Sequence, residues 1–100
     1  MTVKSVEFHP EAAQEAQAAT EWYLLRSVRA AEGFVRELER AVGSVADAPD
    51  RWPIFIEGTR RFLLRRFPYS VVYRVSRDSL QIVAVAHARR RPGYWRPRLG

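Results

Sequence analysis

Apolar and polar positions along the chain follow two different periods, and the change between them divides the molecule. Val3-Lys4-Ser5-Val6-Glu7-Phe8 alternates with period two, which predicts a short strand with Lys4, Val6 and Phe8 on one side of the pleat. His9-Pro10-Glu11 then marks a helix start: proline loses nothing at the first helical position, and an acid beside it suits the amino-terminal end of the helix dipole. Ala12, Ala16, Ala19 and Tyr23 follow at spacings of four, three and four. They form a narrow stripe that another element can approach closely, on a helix expected to end near Ser27. A second stripe, Ala31, Phe34, Leu38, Ala41 and Val45, predicts a helix from about Ala30 to Ala46. Gly33 is a weak helix former inside it, and Glu32 and Arg36 are spaced for an i,i+4 pair. The link between the stripes is too short for much besides a helical hairpin. Ala48-Pro49-Asp50 ends the second helix, and Arg51-Trp52-Pro53 opens an irregular connection reaching about Gly58.

From Arg60 the period returns to two. Arg61, Leu63 and Arg65 alternate with Phe62, Leu64 and Arg66 until Phe67-Pro68 interrupts. Ser70, Val72 and Arg74 then alternate with Val71, Tyr73 and Val75, and after the turn residues Ser76-Arg77-Asp78-Ser79 the alternation runs from Leu80 to His87. Short links between three strands predict an antiparallel meander. The expected fold class is therefore α+β: an N-terminal strand, a helical hairpin and a three-stranded antiparallel meander in a single domain spanning residues 1–100. If Phe62, Leu64, Val71, Tyr73, Ile82, Ala84 and Ala86 face the helices, the opposite face carries Arg61, Leu63, Arg65, Ser70, Val72, Arg74, Val83, Val85, His87 and Arg89. Four apolar residues on that face, Leu63, Val72, Val83 and Val85, call for a cover: the C-terminal tail, a second copy or a partner chain.

Composition narrows the function classes. At 100 residues and 47% hydrophobic the chain can build one core without staples. Zero cysteines exclude a disulfide scaffold and thiolate metal or redox sites. No apolar run approaches a membrane span, and Met-Thr-Val-Lys opens no signal-peptide pattern, so a soluble cytoplasmic protein is expected. Neither a cofactor motif nor a metal-ligand spacing is present, and no cofactor is expected.

Charge adds more. Residues 1–50 carry a net charge of −4 and residues 51–100 a net charge of +10. Sixteen of the seventeen basic residues are arginine. Arginine favours planar, bidentate recognition of phosphates and carboxylates, although an arginine-rich genome produces the same bias. The last fourteen residues, His87 to Gly100, hold five arginines and the adjacent Tyr94 and Trp95. That set can grip a phosphate backbone and stack a base, or the two aromatics can anchor the tail while the arginines are merely solvated. His87, at the expected end of the last strand, suits general acid or base work on RNA or a structural hydrogen bond. His9 suits a capping role.

The order of elements and three motifs resemble the RelE/ParE toxin superfamily of bacterial toxin–antitoxin modules. The motifs are VEFHPEA with the following EWY, RRFLLRRFPYSVVYRV from Arg60 to Val75, and IVAVAHARRRPGYW from Ile82 to Trp95. The resemblance implies a helical hairpin on an antiparallel sheet and a cognate antitoxin whose extended or helical segment wraps the toxin. One branch cuts messenger RNA in the ribosome; toward it, Arg61, His87, Arg89 and Tyr94 are the candidate catalytic set. Leu63 and Ser70 stand where that branch carries a lysine and an arginine, which weakens transition-state charge neutralisation. The long hairpin, the Phe67-Pro68-Tyr69 turn and the HARRRPGYW ending look more like the ParE branch, plasmid-stabilisation toxins that poison DNA gyrase by binding. On that reading Arg65, Arg74, Arg90, Arg91 and Trp95, with Leu63, Val72, Val83 and Val85, form the surface for target or antitoxin. A homodimer and a toxin–antitoxin hetero-oligomer are both open, as is a relative that survives only as a binding module.

Overall fold

The computed structural model describes residues 3–100. Strand β1 is Ser5–Phe8, followed by helices α1 (Pro10–Leu24) and α2 (Val28–Asp47), then β2 (Arg60–Leu63), β3 (Tyr69–Ser76) and β4 (Ser79–His87). The sheet has the order β1-β4-β3-β2, with β1 parallel to β4 and the other neighbours antiparallel. The α+β class, the hairpin and the meander stand as expected. Beyond them, β1 docks against the last strand and makes one four-stranded mixed sheet.

Local chemistry sets the helix boundaries. The Nδ1 atom of His9 accepts the backbone N–H of Glu11 at 3.1 Å, so His9 caps α1 with Pro10 in its first turn. α1 stops at Leu24, three residues earlier than its pattern suggests, because Ser27 is taken as the cap of α2 through its hydroxyl and the N–H of Ala30. Gly33 lies buried within α2, where Phe67 of the β2–β3 loop packs close to its Cα. Glu32 and Arg36 form no ion pair within 4 Å.

β2 was expected to run to Arg66 but ends at Leu63. Glu37 of α2 accepts the backbone N–H groups of both Arg65 and Arg66 and the Nε–H of Arg66. These bonds pull the loop off the strand line and onto the helix. Burial pushes the Glu37 carboxyl up, and those bonds outweigh it and hold it below its ordinary value.

The face assignment needs a correction in β4. Val72 pairs with Ala84 but Tyr73 pairs with Ile82, so Val83 is an extra residue in β4, a β-bulge. Beyond the bulge the alternation slips by one. Val85 joins Phe34, Leu38, Val45, Val71, Tyr73 and Ile82 in the core under the helices, whereas Ala84 and Ala86 join Val72 and Val83 on the other face. The helix-side core contains an aromatic cluster in which Phe34, Tyr23, Phe67 and Tyr69 have centroids 5.1 to 6.5 Å apart.

Candidate functional site

The site lies on the sheet face away from the helices, and the tail builds much of it. Gly93 adopts φ +82°, a left-handed turn that side chains rarely tolerate, and the turn drives Trp95 back onto the sheet. Trp95 is 1% exposed, packed with Val72, Val83, Ala84 and Ala86, and flanked by Phe55 and Ile56. Of the four apolar residues that called for a cover, Val72 and Val83 lie under the tail and Val85 turns to the helix side. Leu63 stays 63% exposed.

A residue that the sequence pattern did not single out fastens this tail. β1 ends at Phe8 opposite Ile82, so the outer edge of β4 continues from Val83 to His87 without a neighbouring strand. Backbone groups on such an edge need partners. The N–H of Val85 donates to Glu15 Oε1 at 3.0 Å, and the carbonyl of Val83 accepts Arg98 Nη1 at 3.1 Å. Glu15 also receives the Tyr94 hydroxyl at 2.5 Å and two Arg98 nitrogens at 2.9 Å. Glu11 adds a contact to Arg98 Nε at 3.0 Å. Burial pushes the Glu15 carboxyl up, but the bonds from Arg98, Tyr94 and Val85 prevail and hold it below the ordinary carboxylate value. Burial, joined by the bond to Glu15, pushes the Tyr94 hydroxyl far above its ordinary value. The signal for Glu15 was its place on the alanine stripe of α1, three residues after Ala12 and four before Ala19, where a carboxylate needs a partner.

The candidate arginines therefore divide. Arg74 is internal: Nε donates to Gln81 at 3.0 Å and Nη1 to the Leu99 carbonyl at 3.1 Å, which ties the chain end to β3. Arg65 lies on the β2–β3 loop beside α2 and reaches neither cleft at the sheet end. Arg61 and Arg90 lie over the rings of Phe55 and Tyr94 at 4.1 and 3.8 Å, their guanidinium edges free. Among the described residues, Arg61, Arg89, Arg90 and Arg91 form no ion pair.

Two clefts meet at His87. The first, about 300 Å³, lies between the tail and the β2–β3 end and is lined by Arg61, Leu63, Ser70, Val72, His87, Arg90, Arg91 and Tyr94, with Trp95 at its base. The second, about 520 Å³, lies between α1 and the open edge of β4 and takes in Glu15, Trp22, Tyr69, Val85, His87 and Arg89. The candidate catalytic set is thereby split: Arg61 lines the first cleft, Arg89 the second, and His87 and Tyr94 the wall they share. His87 Nδ1 accepts the N–H of Arg89 at 3.0 Å, and its ring stands edge-on to Tyr69 with centroids 4.9 Å apart. Only Nε2 is left for a ligand. Among the described residues no group of three or more histidine, aspartate or glutamate side chains gathers to hold a metal ion, and no helix is long and apolar enough to cross a membrane.

Comparison with known proteins agrees with this architecture. A solved structure described as the chromosomal ParDE TA system from P. aeruginosa superposes with a TM-score of 0.71 at 22% identity, covering 83% of this chain and 94% of that one, which establishes the shared fold. No curated protein sequence matches the chain. The family described as the ParE toxin of the type II toxin–antitoxin system, parDE, matches residues 6–92, from β1 through β4 into the tail, and the chain belongs to that family.

Proposed function

We propose that this ParE family member acts in the cytoplasm by binding rather than by catalysis, that its target is DNA gyrase, and that a cognate antitoxin neutralises it by covering the basic cleft. The observation that carries the reading is the state of the would-be nuclease groups. RNA cleavage needs a proton acceptor and a proton donor converging on one phosphate with cations around it. Here the Tyr94 hydroxyl is committed to Glu15, and Arg61 and Arg89 open into different clefts. What remains beside His87 is a rim of guanidinium groups without carboxylate partners, suited to an acidic protein surface. Exposed Leu63 on the same rim supplies an apolar contact.

A gyrase supercoiling assay run beside a translation-dependent mRNA cleavage assay tests this. Wild-type protein freed of antitoxin is expected to inhibit supercoiling and leave mRNA intact. Arg90→Ala with Arg91→Ala removes two exposed cations that make no ion pair, so the fold should persist while inhibition weakens by about tenfold or more. Cleaved mRNA that disappears with His87→Ala would instead establish the nuclease reading. A reading frame beside the gene is expected to encode the antitoxin, and co-purification from joint expression reports the stoichiometry of the complex.

A further inference from the structure

A second concentration of arginine lies along α2 and the β2–β3 loop, and it is independent of the toxin reading. Arg29, Arg36 and Arg40 are spaced seven and four residues apart on α2, so they share one side of the helix over about 16 Å. The β2–β3 loop, held to α2 by Glu37, sets Arg65 and Arg66 across a groove from this row. One end of the groove is lined by Arg29, Arg36 and Arg66, the other by Arg40, Arg65 and Arg66. Among the described residues, only Arg66 of these five is ion-paired, to Glu37 at 3.2 Å. Glu32 and Glu39 neighbour Arg36 along the helix, and Asp47 lies one heptad beyond Arg40, yet none of them closes on a row arginine within 4 Å.

We propose that this groove is a binding surface for the phosphate backbone of duplex DNA. Cations on a rigid helix and an anchored loop give a straight array that needs no ordering, which suits a stiff rod with evenly spaced charges. Single strands are held mainly by stacking on open aromatic faces, and the groove offers none: Phe62 and Phe67 are half-buried and packed into the core. Protein partners require exposed apolar anchors, and none of the exposed large apolar side chains among the described residues, Trp22, Leu25 and Val28 included, lines the groove. The chemistry left is electrostatic and indifferent to base sequence.

The test is fluorescence anisotropy of the full-length protein with a labelled duplex of about 20 base pairs, titrated over a range of salt. Arg29→Gln, Arg36→Gln and Arg40→Gln together keep helix propensity and touch no packed contact, and a thermal melt checks the fold. The triple variant is expected to bind at least about tenfold more weakly at low salt and to lower the slope of log affinity against log salt by about 2 to 3. The proposal is overturned by no duplex binding by wild type, by triple-variant affinity within about twofold of wild type, or by binding lost instead in Arg90→Ala/Arg91→Ala. A single-stranded RNA of equal length, or an acidic peptide, binding as tightly as the duplex also overturns it. Gyrase inhibition is not read in this experiment, so its failure and that of the toxin reading are separate events.

Discussion

The two faces of the sheet are closed by different physics. On one face two helices lay down Ala12, Ala19, Phe34, Leu38, Ala41 and Val45, and the contact is distributed over many apolar atoms. On the other, a tail without long secondary structure does the same work with one tryptophan and one carboxylate, Trp95 and Glu15. Distributed packing spreads the cost of losing any one member; a cover that hangs chiefly on two side chains, with Arg74 and Glu11 as lesser ties, concentrates it. The asymmetry places the cation-rimmed surface on the face that the tail closes.

Removing the plug should have the largest effect. Trp95→Ala is expected to cost about 4 kcal/mol in urea unfolding and to expose Val72 and Val83, against about 3 kcal/mol for Leu38→Ala on the helix face. A Trp95→Ala loss below about 1 kcal/mol would mean that the tail is decoration and the faces are not comparable at all. Next comes the clamp. Glu15→Ala leaves the Tyr94 hydroxyl and the Val85 N–H without their partner and Arg98 with only the Glu11 carboxylate and the Val83 carbonyl, and should cost about 2 to 3 kcal/mol.

The same substitution has a pH signature whose sign is fixed. The Glu15 carboxyl titrates lower in the folded chain than the ordinary 4.5, so its contribution is complete above that pH and is lost as pH falls through the depressed folded value. Acid unfolding curves should therefore converge for wild type and Glu15→Ala below that window and separate above it; curves that stay parallel would dissociate the clamp from stability. The smallest effect belongs to the helix face. A Cβ on Gly33 would sit 3.6 Å from Phe67 Cζ, an ordinary contact, so Gly33→Ala should stabilise by about 0.5 to 1 kcal/mol, read as a rise in melting temperature. A loss there would show that the helix face is packed more tightly than its distances suggest.

Much of this was legible in the residues. Periodicity found both helices and all four strands, since α2 buries one side only and the strands alternate their residues between two differently covered faces. The cation-rich ending was also readable, and the tail was one of the three covers that the pattern left open. The faces of β4 were not: Val83 is a residue like its neighbours, and only pairing with β3 makes it a bulge. Arg74 and Arg65 could not be told from surface cations, because what holds them, the Leu99 carbonyl and the Glu37-bound loop, is distant in sequence. Glu15 was within reach, as a carboxylate on an alanine stripe, but its partners lie 70 and more positions away.

The extra residue in β4 also has a genealogical consequence. A relative whose last strand lacks it carries the same fold with one fewer position before the arginine run. Superimposing the two sequences without a gap at Val83 would shift His87 and Arg89–Arg91 one place and credit each with its neighbour's role. Ancestry and residue roles in this family should therefore be traced from pairing partners across the ladder, Tyr69 with His87 and Ser70 with Ala86, and not from ordinal position along the chain.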